Sequence, residues 1–259
     1  MSDPAALLAL AASTARAAGE LLLDRFGGTQ SGLASKSTRT DLVSDADRDA
    51  EALITGMLRA ARPDDALLAE EGGAAQGASG VRWLVDPLDG TVNYLWGVPH
   101  WSVSIAVRDG AGDLAAVVHD PCRDETFTAV RGGPARRGDS PLTLAPLTDV
   151  AEALLGTGFS YAAAERARQA ATLESLLPRV RDIRRFGSAA LDLAWVAAGR
   201  LDAFYETGLS DWDWAAGAML VREAGGTARR LVRDGRPPGI LAARPGLDAP
   251  IAALIDAAD

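Results

Sequence analysis

The sequence is organised around one stretch, residues 81–91, which reads VRWLVDPLDGT. Its apolar first part predicts a buried β-strand over Val81–Val85. Asp86-Pro87 predicts a break at the end of that strand, because a proline holds the preceding residue extended and forces a turn. Taken alone, the polar end of the stretch also fits an ordinary Asp-Pro turn followed by a solvated Asp-Gly. Features elsewhere in the chain decide between these interpretations.

The carboxylates of this stretch indicate a cation and a phosphate. Asp86 and Asp89 are three residues apart around the predicted turn, so their side chains can converge on one point. Two carboxylates without a basic neighbour repel each other, and a divalent cation relieves that repulsion. Gly90 allows the backbone to turn closely, and the N–H groups of Gly90 and Thr91 suit a phosphate. The stretch therefore predicts a cation site next to an anion site.

Two other carboxylate positions lie at the predicted ends of regular elements. Glu70-Glu71 ends a short apolar run that predicts a strand, and Asp213 opens an amphipathic helix between two tryptophans. Individually, the first position favours a solvated loop and the second favours a helix cap. Together with the central stretch, they predict carboxylates gathered from three element ends. Ligation by oxygen alone suits Mg²⁺, which takes few protein ligands and keeps waters or substrate phosphate as the rest.

The order of the predicted elements indicates an α/β fold of the α+β type. A helix over about residues 3–26 is followed by a second one that begins after Ser44, with Asp47 three residues on. A Gly-, Ala- and Ser-rich stretch over residues 72–80 predicts a flexible loop. The strands that follow form a meander, which predicts a first sheet rich in antiparallel pairs. Strands and helices then alternate, which predicts a second, mixed sheet with helices packed on it.

Composition excludes several classes of protein. The 259 residues carry 26 basic and 35 acidic side chains, a formal charge of −9, which disfavours non-specific binding to nucleic acid or to an anionic membrane. The single cysteine, Cys122, excludes an internal disulfide and a thiolate metal site. The apolar N-terminal segment lacks the basic region of a signal peptide, and no stretch approaches about 18 uninterrupted apolar residues. We therefore expect a cytoplasmic protein without a membrane span.

Four separated blocks of the sequence resemble the signatures of the inositol monophosphatase family, a family of Mg²⁺-dependent phosphomonoesterases. The blocks are residues 83–94 (WLVDPLDGTVNY), residues 212–226 with WDWAAG and VREAGG, the segment from Lys36 through Asp41 to Asp47, and Ala69-Glu70-Glu71. The resemblance covers nearly the whole chain. It implies a single catalytic domain over residues 1–259, with pseudo-halves of about 1–145 and 146–259. The implied architecture is a layered α-β-α-β-α sandwich.

The resemblance also implies a magnesium site. Two to three Mg²⁺ ions would be held by Glu70, Asp86, Leu88, Asp89 and Asp213. Glu70, Asp86 and the Leu88 carbonyl would hold the first ion. Asp86, Asp89 and Asp213 would hold the second ion, and a third, weaker ion would lie near Glu70 through waters.

By the same resemblance, the catalytic residues are Glu70, Asp86 and Thr91. Glu70 and the Thr91 hydroxyl would orient and activate an attacking water, and hydrolysis would proceed in line without a covalent enzyme intermediate. The substrate would be bound by Asp89, Gly90, Thr91, Gly187, Ser188, Ala189, Glu206 and Asp213. Among these, Glu206 would accept hydrogen bonds from inositol hydroxyls, although it also fits an exposed carboxylate at a strand end.

Three supporting residues match family positions near this site. Lys36 is the one lysine among the 26 basic residues, which suggests that a compact ammonium is needed where a planar guanidinium is not tolerated. A solvated loop charge is the simpler alternative for Lys36. Asp41 and Asp47 match positions behind the ligands, and Asp47 also fits a helix cap alone.

The leading expectation is hydrolysis of inositol 1-phosphate, because residues 184–193 and 203–206 resemble the inositol-phosphatase branch of the family. A phosphatase for another small ester stays open, with histidinol phosphate, a nucleotide 3′-phosphate or fructose 1,6-bisphosphate as the substrate. A regulatory protein that keeps the fold and acts by binding a partner also stays open. The resemblance further implies inhibition by Li⁺ and a homodimer.

Overall fold

The structure is a computed structural model and describes residues 3–28, 31–36, 42–72 and 74–258. The helices in these ranges are α1 (Pro4–Arg25), α2 (Asp45–Ala61), α3 (Thr91–Leu95), α4 (Ala163–Leu176), α5 (Ala189–Ala197), α6 (Asp211–Glu223) and α7 (Asp248–Asp256). The strands are β1 (Ala34–Ser35), β2 (Leu42–Val43), β3 (Ala66–Ala69), β4 (Ala74–Ala75), β5 (Arg82–Asp89), β6 (Ser102–Asp109), β7 (Gly112–Asp120), β8 (Glu125–Val130), β9 (Arg136–Arg137), β10 (Ser140–Pro141), β11 (Leu154–Thr157), β12 (Asp182–Arg184), β13 (Ala203–Thr207), β14 (Thr227–Leu231) and β15 (Gly239–Ala243).

Two large sheets organise the fold. The first has eight strands in the order β10-β9-β8-β7-β6-β5-β3-β4, and all neighbours are antiparallel except β3 and β5. The second has five strands in the order β12-β11-β13-β15-β14. In it β11 is parallel to both β12 and β13, while β15 is antiparallel to β13 and β14. An antiparallel-rich first sheet and a mixed second sheet are thereby confirmed.

Helices form three layers around these sheets. α1 and α2 pack on the outer face of the first sheet, against Trp83 and Ile105. α5 and α6 fill the space between the sheets, where Leu84 of the first sheet and Phe204 of the second share one core. α4 and α7 cover the outer face of the second sheet, around Leu155. The predicted layered α-β-α-β-α sandwich is confirmed.

The first helix belongs to this packing. By length and composition alone α1 could cross a membrane. In the fold it buries one stripe, with Leu7, Ala11, Ala18 and Leu22 on it, against the first sheet and α2. A stripe at this spacing is typical of a helix that covers a sheet.

Strand β5 contains the central stretch and corrects the prediction made for it. The expected break at Asp86-Pro87 is wrong, because the strand continues to Asp89. Its pairing with β6 shifts between Asp86, which lies opposite Ser104, and Asp89, which lies opposite Ser102. An irregular ladder of this kind accommodates Pro87, which has no N–H to donate. The strand itself therefore carries both aspartates to one end of the sheet.

Two further differences concern short or edge strands. The sequence pattern misses β14, whose segment TARRL contains two arginines, and this strand forms an edge of the second sheet. Charged side chains are common on edge strands, so the apolar alternation that marks central strands is weak there. The predicted flexible loop over residues 72–80 contains β4, which pairs with β3.

A buried carboxylate ties the end of α2 to β5. Asp65 accepts hydrogen bonds from the guanidinium of Arg62 at 2.8 and 3.1 Å, the hydroxyl of Ser79 at 2.6 Å and the indole N–H of Trp83 at 2.9 Å. Burial alone would raise the pKa of Asp65, but these bonds outweigh it and lower the pKa below its ordinary value. A group with a lowered folded pKa stabilises the fold above its unfolded pKa, and this contribution is lost as the pH falls through the folded pKa.

We predict that Asp65→Ala lowers the free energy of unfolding by about 3 kcal/mol at pH 7, because the buried indole N–H of Trp83 and the half-exposed guanidinium of Arg62 lose their acceptor. The exposed neighbour gives the matched control, and Asp64→Ala should change stability by less than about 0.5 kcal/mol. Urea unfolding followed by tryptophan fluorescence measures both variants. The difference between Asp65→Ala and the parent should shrink as the pH falls below about 4. Equal stabilities of the two variants would contradict this role.

Candidate active site

The carboxyl end of β5 opens into a cavity of about 470 Å³ whose wall also includes the starts of α3, α5 and α6 and the end of β13. The predicted site residues that line it are Lys36, Glu70, Asp86, Leu88, Asp89, Gly90, Thr91, Gly187, Ala189, Glu206 and Asp213. Asp47 and Ser188 are buried and contact residues of this wall. Asp41 lies outside the described residues. The cavity therefore brings together residues from both halves of the chain.

Three aspartates in the wall, Asp86, Asp89 and Asp213, lie close enough to repel one another. Burial raises the pKa of Asp86 well above its ordinary value, and the charges of Glu70, Asp89 and Asp213 raise it further. The pKa of Asp213 is raised well above its ordinary value, first by burial and then by Glu70 and Asp89. Burial raises the pKa of Asp89 to about 6, against hydrogen bonds that lower it. This concentration of like charge is what a bound cation relieves.

Asp89 is held at the N-terminus of α5. Its carboxylate accepts the hydroxyl of Ser188 at 2.5 Å, the N–H of Ala190 at 2.7 Å and the N–H of Ala189 at 3.2 Å. The first N–H groups of a helix have no partner within the helix, and the positive end of the helix dipole favours an anion there. The structure corrects the prediction for Ser188, whose hydroxyl faces Asp89 instead of lining the cavity. Ser188 thus positions Asp89.

Asp86 and Asp213 are fixed by shorter-range contacts. Asp86 accepts the N–H of Leu88 at 3.0 Å, across the irregular part of β5. Asp213 is the third residue of α6 and accepts the N–H of Ser210 at 2.7 Å. The carboxylate of Asp213 thus caps α6 and also lines the cavity.

Lys36 places its ammonium against the acidic turn that follows β3. Its Nζ lies 2.8 Å from Oε1 of Glu70 and also donates to Glu71. Burial alone would lower the pKa of Lys36, but the attraction of the two glutamates raises it above its ordinary value. Burial raises the pKa of Glu71 to about 7, against the opposing effect of Lys36. The N–H of Glu71 donates to Glu51 at 2.6 Å. Lys36 and Glu70 are thus paired with each other in the cavity wall.

The hydroxyl of Thr91 is held from behind by α2. Its Oγ1 lies 3.0 Å from Oδ1 of Asp47 and 3.1 Å from the Leu88 carbonyl oxygen. The other carboxylate oxygen of Asp47 accepts the N–H and the hydroxyl of Ser44, the residue before α2, at 2.9 and 2.6 Å. Asp47 therefore fixes the start of α2 and positions Thr91 at the same time.

Gly90 brings the central stretch against the second half of the chain. Its φ of 98° lies in the left-handed region that side chains disfavour. A Cβ atom at this position would lie 3.1 Å from the His100 carbonyl oxygen and 3.2 Å from that of Gly187. Both the conformation and the close approach require glycine here.

The second half of the chain contributes further residues to the wall, among them Arg185, Gly187, Ala189 and Glu206. Burial raises the pKa of Glu206 to about 8, and the nearby guanidinium of Arg185 opposes that effect. Glu206 lines the cavity, so the alternative of an exposed carboxylate at a strand end is wrong. The wall thus contains one further carboxyl group, that of Glu206, in addition to those of the clustered aspartates and Glu70.

The donors of the cavity fit a hard divalent cation. They are all oxygens: the carboxylates of Glu70, Asp86, Asp89 and Asp213 and the carbonyl of Leu88. Burial and, for Asp86 and Asp213, neighbouring negative charges raise the aspartate pKa values, and a bound cation neutralises this charge. Within the described ranges, no three His, Cys, Asp or Glu side chains have the spacing of an assembled metal site. Several of these oxygens instead accept hydrogen bonds from the protein.

Sequence reasoning missed a residue that supports the wall and a segment of the wall itself. Asn93 lies within the central signature, and its Nδ2 donates to the carbonyls of His100 and Phe186, each at 2.7 Å. It thereby joins α3 to the turn before α5, and a carboxamide next to a predicted helix start was the available signal. Residues 158–162 also line the cavity, but no motif in the sequence marks them.

Nearly the whole chain matches the model of one known protein family. The family model described as "Inositol monophosphatase family" matches residues 3–255. The chain belongs to the inositol monophosphatase family. The resemblance seen in the four sequence blocks is thereby confirmed. Membership supports phosphatase activity and, because the family is generally metal-dependent, a requirement for metal.

Individual relatives agree with this assignment. A protein from Xylella fastidiosa named Nus factor SuhB is 46% identical over 213 residues, which cover 82% of this chain and 77% of the relative. The inositol-1-monophosphatase of Rhizobium meliloti is 42% identical over 222 residues, covering 85% of this chain and 84% of the relative. The crystal structure of the extragenic suppressor protein suhB from Bartonella henselae aligns with a TM-score of 0.89 at 35% identity. That alignment covers 96% of this chain and 98% of the other chain.

We predict that Ser188→Ala lowers phosphatase activity on 4-nitrophenyl phosphate by about tenfold, because Asp89 loses the hydroxyl that orients it. Ser13, an exposed serine on α1, gives the matched control, and Ser13→Ala should leave the rate unchanged. Initial rates of phosphate release at saturating metal measure the effect, and circular dichroism checks that each variant is folded. A loss of less than twofold in folded Ser188→Ala would contradict the positioning role.

Proposed function

We propose that the protein is a Mg²⁺-dependent phosphomonoesterase that hydrolyses inositol 1-phosphate to inositol and phosphate. One observation carries the proposal. A single cavity contains the clustered carboxylates Glu70, Asp86, Asp89 and Asp213 together with the separate carboxyl group of Glu206. The first group suits cations that hold a phosphate, and Glu206 suits the hydroxyl groups of a polyol.

Two to three Mg²⁺ ions are proposed for the site. Glu70, Asp86 and the Leu88 carbonyl would hold one ion, and Asp86, Asp89 and Asp213 would hold another. A third, weaker ion would lie near Glu70. Bound Mg²⁺ lowers the pKa of a coordinated water and stabilises negative charge on the leaving oxygen. The clustered aspartates support this assignment because burial and neighbouring carboxylates raise their pKa values.

The protein's own groups orient the attacking water. The single proton of the Thr91 hydroxyl faces Asp47 or the Leu88 carbonyl, so a lone pair of Oγ1 stays free to accept a hydrogen bond from water. Glu70 supplies a carboxylate that can accept the proton of that water. Lys36 hydrogen-bonds Glu70 and keeps a positive charge beside it. Thr91, Glu70 and Asp86 are accordingly the proposed catalytic residues.

Substrate binding divides between the two halves of the chain. The N–H groups of Gly90 and Thr91 would donate to phosphate oxygens, while Asp89 and Asp213 would contact the substrate from the metal side. Gly187 and Ala189 would contact the leaving alcohol. Glu206 would accept hydrogen bonds from its hydroxyl groups.

Other small esters remain open as substrates, namely histidinol phosphate, a nucleotide 3′-phosphate and fructose 1,6-bisphosphate. The second candidate function is a transcription-related binding role, which the name of the Xylella relative favours. Such a role would act through a surface and would not need the cavity. We also propose a cytoplasmic homodimer that is inhibited by Li⁺ and binds neither nucleic acid nor membrane.

Phosphate release from a panel of esters tests the proposal. With Mg²⁺ present, inositol 1-phosphate should give a higher kcat/KM than histidinol phosphate, adenosine 3′-phosphate, fructose 1,6-bisphosphate or 4-nitrophenyl phosphate. Asp86→Asn should reduce release from every ester by at least about a hundredfold, since it removes a proposed ligand and catalytic residue. A preference for another ester would overturn the substrate assignment. No release from any ester would overturn the enzymatic function and favour the binding role.

We predict that Lys36→Arg lowers activity by about tenfold at limiting Mg²⁺, because a planar guanidinium cannot replace a compact ammonium between Glu70 and Glu71. Arg59, an exposed residue on α2, provides the reverse exchange as a control, and Arg59→Lys should have no effect. Rates over a range of Mg²⁺ concentrations measure both variants. Full activity of Lys36→Arg at low Mg²⁺ would show that any cation serves at this position.

A further inference from the structure

Two neighbouring strands of the second sheet, β11 and β13, end next to each other at the cavity. β11 and β13 are parallel neighbours, and Thr157 pairs with Tyr205 near the ends of the two strands. Gly158 and Glu206 therefore follow at adjacent positions, and both line the cavity. In sheets with parallel strands, the crevice outside the carboxyl ends is a frequent place for ligands.

Gly158 leaves the space in which the carboxyl group of Glu206 lies. A Cβ atom at Gly158 would overlap the carboxyl carbon and both carboxylate oxygens of Glu206. Backbone conformation does not require glycine here, because Gly158 is not among the residues with positive φ. An alanine would therefore fit the backbone, and the flexible end of Glu206 is what would have to move.

A buried amide prevents the two chain segments from moving apart. Gln169 of α4 donates through Nε2 to the hydroxyl of Thr207 at 2.9 Å and to the Thr207 carbonyl at 3.3 Å. Its Oε1 accepts the N–H of Ser160 at 2.9 Å. One side chain thus joins the segment after Gly158 to the residue after Glu206. An added methyl group at Gly158 is accommodated by the Glu206 side chain and not by retreat of the wall.

We propose that Gly158 is a specificity-determining residue. Because this position has no side chain, the carboxyl group of Glu206 has the space from which it contacts the leaving alcohol. This inference rests on the proposed function, in which Glu206 accepts hydroxyl groups of the substrate. The clustered aspartates, Glu70 and Thr91 belong to other elements, so they keep their places when Glu206 moves. A substrate whose leaving group lacks hydroxyls does not use Glu206 and is insensitive to the change.

The test is a double-mutant cycle on two substrates. Gly158→Ala, Glu206→Ala and the double variant are assayed with inositol 1-phosphate and with 4-nitrophenyl phosphate. Gly158→Ala should lower kcat/KM for inositol 1-phosphate by about tenfold, mainly through KM, as expected for the loss of one hydrogen bond. Its kcat/KM for 4-nitrophenyl phosphate should stay within about twofold of the parent. The double variant should be no worse than Glu206→Ala, because both substitutions remove one contact.

Gly56 on α2 gives the matched control. It is exposed and an added Cβ meets nothing within 4 Å, so Gly56→Ala should leave both rates unchanged. Three results overturn this inference but not the proposed function. Gly158→Ala keeps the parent's preference for inositol 1-phosphate, or it loses kcat/KM equally on both esters, or the losses of the two single variants add up in the double variant. If the parent protein hydrolyses 4-nitrophenyl phosphate but does not prefer inositol 1-phosphate, the substrate assignment is wrong, and this inference is wrong with it. A parent with no turnover of either ester overturns the proposed function itself.

Discussion

The gathering of three aspartates in the wall of one cavity is the constraint on which the rest of the structure depends. Loss of water raises the pKa of each, and the charges of Asp89 and Asp213 raise that of Asp86 further, so their proximity costs free energy in the protein alone. Rigid elements hold them together: β5 carries Asp86 and Asp89, the N-terminus of α5 holds Asp89, and α6 carries Asp213. The layered fold is the scaffold that brings these element ends to one point.

A serine followed three residues later by an aspartate occurs at the start of two helices, and in both it contributes to the fold and to the site. Ser44 precedes α2 with Asp47 three residues on, and Ser210 precedes α6 with Asp213 three residues on. In each case the carboxylate accepts the N–H of the serine and also serves the cavity. Asp47 positions Thr91, and Asp213 lines the wall. A cap that stabilises a helix locally therefore also fixes functional geometry.

Sequence reasoning was strongest where information is local. Helical and strand periodicity suffices for most of the elements, because the side-chain repeat of each element belongs to that element alone, whereas the layered sandwich was expected from the family resemblance. It failed at Pro87, since the irregular pairing that accommodates this proline depends on β6. It misplaced Ser188, whose hydroxyl meets Asp89 across 99 positions of sequence. The contact between Gly158 and Glu206 was likewise invisible, because it arises from the register of parallel strands.

The central claim is that the clustered carboxylates exist to hold divalent cations, and cation binding without substrate tests it most directly. Calorimetric titration of the protein with Mg²⁺, paired with thermal unfolding, should show saturable binding and an increase in Tm, because a ligand of the folded state stabilises it. Asp86→Asn should abolish both effects while remaining folded. Absence of binding to the parent protein, or equal binding to Asp86→Asn, would contradict the account.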